Sequence, residues 1–316
     1  MKGRSPRQAL RPLLFVLALG WVPFVVLWAV DLDVVWVAPS ALAFLPYAVL
    51  GTSVVLIAAL VARARVAAMV AAVGLAVLIV PRAERVVADE QPLARGPELI
   101  VATSNVLFGD GDAEALMRLV REERIDVLAL QEDTPAFTAR AEAAGLSSLL
   151  PHDAAHPEPG ARGTSVYSRY PLREIPPADG DLRSSGGVIT LPGGTGVQVR
   201  SVHPPPPFNA QYLDGWKRRI AVLPGPADAG VPTVLAGDYN ATLDHHPLRR
   251  LLARGYRDAA EQTGDAWRPT WSGSKVTTLT IDHVLVPRGV AVEGVTIHHL
   301  PGSDHDVVVS RLRLPR

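Results

Sequence analysis

The chain of 316 residues contains no cysteine. Disulfide bonds are therefore excluded, and so are zinc or iron centres held by thiolates. Any metal ion that this protein binds must be held by oxygen or nitrogen atoms. Since a lack of cysteine suits either side of a membrane, it does not indicate a compartment.

Lysine is scarce, and basic side chains are not in excess in residues 99–316, the part of the chain long enough to form a globular domain. The formal net charge of the chain is zero. Residues 1–98 have nine Lys and Arg against six Asp and Glu, whereas residues 99–316 have 22 against 25, a net charge of −3. A weakly acidic body with Lys217 and Lys275 as its lysines is not an obvious electrostatic trap for a polyanion.

Several catalytic motifs are also missing. The sequence has no nucleophile elbow, no phosphate-binding P-loop, no dinucleotide fingerprint and no HExxH zinc helix. No motif therefore supports an α/β-hydrolase, a P-loop nucleotide hydrolase, a Rossmann dehydrogenase or a zinc protease of the HExxH type.

Charged residues are absent from three apolar stretches in the first third of the chain. The transmembrane helices predicted within them cover about residues 12–30, 41–62 and 66–81. The first two are long enough for a helix that crosses a bilayer. The third is short, but arginines at both of its ends can extend to the membrane surfaces. Residues 1–81 are therefore predicted to be a membrane anchor, and residues 82–98 a linker.

A secretory signal peptide is the alternative for the first stretch, because Lys2, Arg4, Arg7 and Arg11 precede it. There is no clear small-residue cleavage site and two more apolar stretches follow, which favours retained helices. The positive-inside rule then places the N-terminus in the cytoplasm and, after three spans, residues 99–316 outside it. No charged residue or histidine lies within the spans, so an anchor is favoured over a transporter.

Residues 99–316 alternate between apolar runs typical of buried strands and segments with helical spacing. Helices are predicted over residues 113–124, 135–144, 209–223 and 246–254, with Asp112 as the N-cap of the first. Strands are predicted over residues 99–104, 125–130, 163–168, 187–191, 197–202, 231–236, 281–286, 290–298 and 306–314. Early β-α-β units followed by strand-rich segments predict a four-layer α/β/β/α sandwich of two mixed β-sheets, preceded by the transmembrane helices.

Polar side chains follow several of these strands at the point where the strand ends. Asn105 and Glu132 each come directly after a strand, and Asp238 and Asn240 would face the same side if their strand continued through them. A carboxylate beside an amide at the rim of a sheet can orient a water molecule and hold a phosphoryl oxygen. His203 follows another strand.

Each of these residues also has an ordinary interpretation. Glu132 could be an acid at a helix N-terminus, and Asn105 or the Asp238–Asn240 segment could form turns. His203 and His305 could be surface histidines. Asp282 and His283 interrupt an apolar strand instead, where any charge must be paired.

Seven short motifs nevertheless occur in a characteristic order. They are Ser104-Asn105-Val106, Leu130-Gln131-Glu132, Gly163 to Pro171, Ser201-Val202-His203, Gly237-Asp238-Tyr239-Asn240, Ile281-Asp282-His283 and Gly302-Ser303-Asp304-His305. Together they resemble the endonuclease/exonuclease/phosphatase superfamily, which includes deoxyribonuclease I, abasic-site endonucleases, neutral sphingomyelinases and inositol-polyphosphate 5-phosphatases. The resemblance spans about residues 99–314.

The resemblance implies a site for a divalent metal ion. Glu132, with Asn105 close by, would hold the ion, and Asp304 would join its ligands. The expected ion is Mg²⁺, with Mn²⁺ or Ca²⁺ as alternatives, because carboxylate oxygens suit hard cations. Asp238 would orient or deprotonate the attacking water, and Asn240 would hold a phosphate oxygen.

Two histidines complete the implied mechanism. His305, oriented by Asp282, would face the scissile phosphate. His203 would donate a hydrogen bond to a phosphate oxygen or to the leaving group. Deoxyribonuclease-like and sphingomyelinase-like members have a histidine at the position of His203, whereas abasic-site endonucleases tend to lack it.

The sequence therefore predicts a multi-pass cell-membrane protein whose extracytoplasmic domain hydrolyses a phosphodiester or a phosphomonoester. Its substrate could be a lipid, a small phosphate ester or a nucleic acid. An extracytoplasmic endonuclease acting on DNA is one alternative, and an inactive binding module on a membrane stalk is another. The sequence indicates no protein partner.

Overall fold

The computed structural model describes residues 6–30, 37–177, 184–228, 230–274 and 276–316. These residues form two compact units. The first comprises the described residues up to Glu84 together with Asp244–His246, and the second comprises Arg85–Leu243 and Pro247–Arg316.

The first unit is helical. Its helices are α1 (Pro6–Ala18), α2 (Val22–Ala29), α3 (Val37–Ala43), α4 (Leu45–Val61) and α5 (Arg65–Ile79), the last continued by 3₁₀ turns over Val80–Val86. Two stretches are long and apolar enough to cross a membrane, Leu10–Ala29 and Arg65–Val86. The α3–α4 pair, bent by 63°, supplies a third if it is one span.

Small and large side chains of these helices differ in their exposure. Small residues such as Ala59, Ala67 and Ala71 are buried between helices, whereas large apolar side chains such as Leu50 and Ile57 are exposed. Close approach through small residues is how helices pack when lipid surrounds them. Lys2, Arg4, Asp31 and Asp33, on which the predicted orientation partly depends, lie outside the described residues.

The second unit contains two six-stranded mixed sheets. The first has the order β13-β14-β1-β2-β4-β3, with the strands β1 (Glu98–Asn105), β2 (Val127–Gln131), β3 (His152–His156), β4 (Thr164–Ser168), β13 (Ala291–His299) and β14 (Asp306–Arg313). The second has the order β5-β6-β7-β8-β12-β9, with the strands β5 (Leu172–Glu174), β6 (Gly186–Thr190), β7 (Gly196–Val202), β8 (Thr233–Asp238), β9 (Tyr256–Asp258) and β12 (Asp282–Pro287). A two-stranded hairpin joins β10 (Trp271–Ser272) to β11 (Thr278–Leu279).

The two sheets pack face to face because alternate residues of their strands are apolar on the inner side. Leu99 and Val101 of β1 share one core with Val199 of β7 and Val234 of β8. The residue between the first two, Ile100, belongs to a separate core on the opposite face of the first sheet. The alternation thus assigns each strand an inner and an outer face.

Helices cover both outer faces and confirm the predicted four-layer fold. They are α6 (Ala113–Glu122), α7 (Pro135–Ala143), α8 (Leu146–Leu149), α9 (Ala210–Ala221) and α10 (His246–Ala253). The short α11 (Ala259–Gln262) instead packs Ala259 and Ala260 into the core between the sheets. The predicted N-cap of α6 is confirmed, since Asp112 accepts a hydrogen bond from the Ala115 amide at 2.9 Å. On the second sheet, Trp216 of α9 is fully buried in the outer core.

Each sheet has one parallel pair near its centre. β1 pairs with β2, and β7 pairs with β8. Their connections contain α6 and α9, respectively, as parallel neighbours require a crossover. The carboxyl ends of paired parallel strands lie side by side, so the residues that follow these four strands are gathered at one end of the sandwich.

Candidate active site

Four strand ends, two from each sheet, supply the centre of the site. Asn105 ends β1 and Glu132 follows β2, while His203 follows β7 and Asp238 ends β8. Gly237 allows β7 and β8 to approach closely, because a Cβ atom there would lie 2.0 Å from the Val202 carbonyl oxygen.

Polar side chains from both sheets converge on Asp238 Oδ2. Asn105 donates to it from Nδ2 at 3.1 Å. The Nε2 atoms of His203 and His305 lie 3.6 Å and 3.7 Å from it. All four residues are buried. Side chains that are separated by up to 200 positions in the sequence are therefore arranged around one carboxylate oxygen.

Glu132 is held in a fixed orientation beside this centre. Its Oε1 atom accepts from Asn105 Nδ2 at 3.2 Å, and its Oε2 atom accepts from the Phe108 amide at 2.7 Å. The backbone of Glu132 is left-handed, with φ of 58°, and so are those of Leu107, Phe108 and Asn240. Non-glycine residues in this conformation are strained and cluster at functional sites.

Asn240 approaches Asp238 through a turn rather than through strand alternation. β8 ends at Asp238, so the condition under which both side chains would face one side of a strand is not met. The Asn240 amide donates to Asp238 Oδ1 at 2.8 Å, which closes a tight Asx-type turn. Its Nδ2 atom donates to the Pro204 carbonyl at 3.1 Å, next to His203.

His305 is oriented by Asp282, as the resemblance implies. Its Nδ1 atom lies 3.0 Å and 3.1 Å from the two carboxylate oxygens of Asp282. Asp282 in turn accepts from Thr270 Oγ1 at 2.7 Å. With Nδ1 protonated towards Asp282, Nε2 is directed towards Asp238.

Burial and neighbouring charges shift the pKa values of Asp238 and His305. Burial raises the pKa of Asp238; the His305 imidazolium opposes this shift and Asp282 reinforces it. Burial alone would lower the pKa of His305, but the Asp282 and Asp238 carboxylates outweigh it and raise the pKa. His305 is therefore suited to donate while positively charged, and Asp238 is a stronger base than an exposed aspartate.

Asp304 lies at the edge of the same site. Trp271 Nε1 donates to its Oδ2 atom at 2.8 Å, and its Oδ1 atom lies 3.8 Å from His305 Nε2. This Oδ1 atom is shielded from solvent and has no hydrogen-bond partner among the described residues. A buried carboxylate oxygen without a donor is a suitable ligand for a cation.

The donor set fits a hard divalent cation. Glu132 and Asp304 offer carboxylate oxygens, which Mg²⁺ prefers. The Asn105 amide presents Nδ2 to Glu132 and Asp238, and its Oδ1 accepts from the Leu107 amide at 3.0 Å, so the amide group would have to turn over to present its oxygen to a cation. Asp238, Asp282 and His305 also offer ligand atoms within 4.8 Å of one another, the one such group among the described residues. Within that group, Asp282 accepts from Thr270 Oγ1 and turns both of its oxygens towards His305 Nδ1. We therefore interpret Asp282 and His305 as a hydrogen-bonded pair.

The expectation that Asp282 and His283 must be paired is confirmed. His283 Nδ1 lies 2.9 Å from Asp258 Oδ2, and Nε2 lies 2.8 Å from the Ala241 carbonyl. Both ring nitrogens thus face acceptors. The bond to Ala241 fixes the chain directly after Asn240.

Several supporting residues were not predicted individually. Gln131 donates to Ser201 Oγ at 2.8 Å and accepts from Thr103, which links the two sheets behind the site. Thr270 and Trp271 support Asp282 and Asp304 from the β10 hairpin. Gln131 and Ser201 lie within the quoted motifs, but the Thr270-Trp271 pair lies in a segment without periodicity, so no local pattern indicates it.

Comparison with known proteins agrees with this geometry. The sequence pattern of the Endonuclease/Exonuclease/phosphatase family matches residues 102–305. The chain belongs to this family. Its members are metal-dependent phosphoesterases or nucleases, so the hydrolase class and the general use of a divalent metal ion follow. No curated protein matches the chain.

Solved structures from the family share the fold of the second unit. An endonuclease/exonuclease/phosphatase from Beutenbergia cavernae DSM 12333 has 22% identity and a TM-score of 0.53, covering 69% of this chain and 72% of that chain. D. rerio TDP2 complexed with single strand DNA product has 18% identity and a TM-score of 0.53, covering 68% of this chain and 98% of that chain. A mannosyl-6-phosphatase from Bacteroides thetaiotaomicron has 16% identity and a TM-score of 0.52, covering 68% of this chain and 99% of that chain. Similarity at this level supports a common fold and leaves the substrate open.

Proposed function

We propose that this protein is a membrane-anchored phosphoesterase that hydrolyses a phosphodiester or a phosphomonoester with the help of a divalent cation, Mg²⁺ in our assignment. Residues 1–81 would be the anchor, 82–98 the linker and 99–316 the catalytic domain. The observation that carries the proposal is the arrangement of Asn105, His203 and His305 around Asp238 Oδ2, within 3.7 Å.

Glu132, Asn105 and Asp304 are the residues assigned to hold the cation. When bound, the cation would neutralise charge on the phosphate and on the leaving oxygen. The carboxylate of Glu132 is pre-oriented by two N–H donors, so little reorganisation is needed for it to present an oxygen atom.

Asp238 is assigned to the attacking water. Its raised pKa favours acceptance of a proton, and the Asn240 amide fixes one of its oxygens. His305 faces it as a charged donor held by Asp282, suited to a phosphate oxygen. His203 Nε2 lies 3.6 Å from Asp238 Oδ2 and 3.7 Å from Glu132 Oε1. From this position it can reach a second phosphate oxygen or the leaving group.

The proposal is tested by turnover of a substrate panel. Full-length protein in detergent would be given Mg²⁺ and, separately, plasmid DNA, sphingomyelin and inositol phosphates. We expect hydrolysis of at least one of them, lost with a chelator and in Asp238→Asn but kept in Asp153→Asn, a change at an exposed aspartate of β3. Folded protein that hydrolyses none would favour the inactive binding module, and turnover of DNA alone would favour the endonuclease.

The location of the catalytic domain is a second prediction. The distribution of Lys and Arg predicts that the C-terminus lies outside the cytoplasm. Alkaline phosphatase fused after Arg316 should therefore be active, and a fluorescent protein that matures only in the cytoplasm should be dark at the same position. The opposite pair of results would place the domain inside the cell and favour an intracellular nucleotide or lipid substrate.

A further inference from the structure

Exposed large apolar side chains of the second unit lie in the segment before β1 (Val86, Val87 and Leu93) and, from Glu98 onwards, mostly on segments that lead away from the site. Among its described residues from Glu98 onwards, five large apolar side chains are exposed: Phe108, Phe208, Tyr212, Val222 and Val276. All but Val222 lie on three segments that begin at site residues. Scattered exposed apolar residues are ordinary, whereas several on segments that each begin at one site point to a surface that binds something apolar.

Each of the three segments is connected to the site by a specific bond. The Phe108 amide donates to Glu132, while its ring is 55% exposed. The segment leading to Phe208 begins at Pro204, whose carbonyl accepts from Asn240. The segment that contains Val276 begins at Trp271, which donates to Asp304.

The second segment carries two aromatic rings. The rings of Phe208 and Tyr212 lie 5.3 Å apart, at the start of α9. Phe208 is 55% exposed and Val276 is 78% exposed. We refer to Phe108, Phe208, Tyr212 and Val276 as the apolar rim.

We propose that the apolar rim inserts into the surface of a phospholipid bilayer and that the site takes its phosphate ester from an amphipathic lipid. This inference rests on the proposed function and adds a substrate class to it. Phe and Tyr are typical of protein segments that enter the boundary between headgroups and acyl chains. Val276 cannot stack on a nucleic-acid base, and the net charge of −3 does not favour a polyanion.

The chain itself favours a bilayer as the partner. Eleven residues separate Val86, the end of the last candidate span, from β1. Fully extended, they reach about 40 Å. A domain tethered this tightly to membrane-spanning helices has a bilayer as the apolar surface permanently within its reach.

The lack of cysteine permits a direct test by site-specific labelling. Phe208→Cys, Val276→Cys and Val222→Cys would each be labelled with a fluorophore in full-length protein reconstituted into phosphatidylcholine nanodiscs. Val222 is the matched control, because it is 46% exposed and lies at the other end of α9, about 18 Å along the helix. We expect brominated acyl chains to quench labels at 208 and 276 at least about threefold more than at 222. Equal quenching at the three positions would overturn the proposal.

A kinetic measurement tests the substrate class. The double variant Phe208→Ser/Val276→Ser should lower turnover of a bilayer-presented phospholipid by about tenfold or more, because two apolar contacts are lost. Hydrolysis of a water-soluble phosphodiester, bis(p-nitrophenyl) phosphate, should be unchanged, and Val222→Ser should affect neither substrate. A drop confined to single-stranded DNA would instead assign the rim to base stacking and overturn the lipid proposal.

The two hypotheses fail differently. The quenching measurement needs no catalysis, so an inactive wild-type protein with a quenched rim would overturn the hydrolase and retain the membrane contact. An active enzyme whose rim is not quenched would retain the hydrolase and overturn the membrane contact.

Discussion

Replacing Glu132 with Gln is expected to lower kcat/KM by about 10³-fold or more, to the level seen with a chelator. The substitution removes the negative charge assigned to the divalent cation. One amide oxygen remains to accept from the Phe108 amide, so the local backbone can keep its left-handed conformation. The measurement is Mg²⁺-dependent turnover of whichever panel substrate is hydrolysed, with the thermal unfolding midpoint as a check on the fold.

The matched control is Glu122→Gln, at an exposed position of α6. It changes the net charge by the same amount and should leave both turnover and unfolding temperature within error. Activity that survives both Glu132→Gln and excess chelator would contradict the metal-assisted mechanism. A large drop in unfolding temperature would instead indicate that Glu132 is structural.

The histidine pair should produce the second large effect. His203→Ala and His305→Ala are each expected to reduce kcat/KM by about 10²–10⁴-fold, the usual contribution of a positioned proton donor. Both imidazoles face the same oxygen of Asp238, at 3.6 Å and 3.7 Å. Because both are assigned to one phosphate, the double variant should lose much less than the product of the two single losses.

A double-mutant cycle measures this coupling. His299→Ala is the control, since that histidine is 74% exposed at the end of β13. Losses that multiply would mean independent roles for His203 and His305. Wild-type activity in His203→Ala would show that this residue does not take part in catalysis.

The sequence predicts the site best where a strand ends in a polar residue. Glu132 and Asn105 were identified because an apolar strand leads directly into each, and the structure brings them into hydrogen-bonding contact. The proximity of Asp238 and Asn240 was also expected, but through strand alternation, whereas a turn with positive φ at Asn240 produces it. A side chain that bonds its own backbone two residues away leaves no periodic signal.

Other features could not be predicted from local pattern. β3, β5 and β9 were missed, because they contain three to five residues and are mostly polar or only partly buried. Each forms an edge of its sheet, where tertiary pairing rather than propensity decides the conformation. The role of Thr270 depends on a partner twelve positions away, and that of Asp258 on one 25 positions away. Such pairs are visible only after folding.

The parallel pairs β1–β2 and β7–β8 divide the proposed chemistry between the two sheets. The first sheet provides Asn105 and Glu132, and the second provides His203 and Asp238. Neither sheet alone holds both the assigned cation ligands and the base for water. Catalysis therefore depends on the register with which the sheets dock, and a shift of an ångström at that interface would separate the two half-sites while leaving each sheet folded. The buried Gln131–Ser201 hydrogen bond joins the sheets directly behind the site and fixes their relative position there.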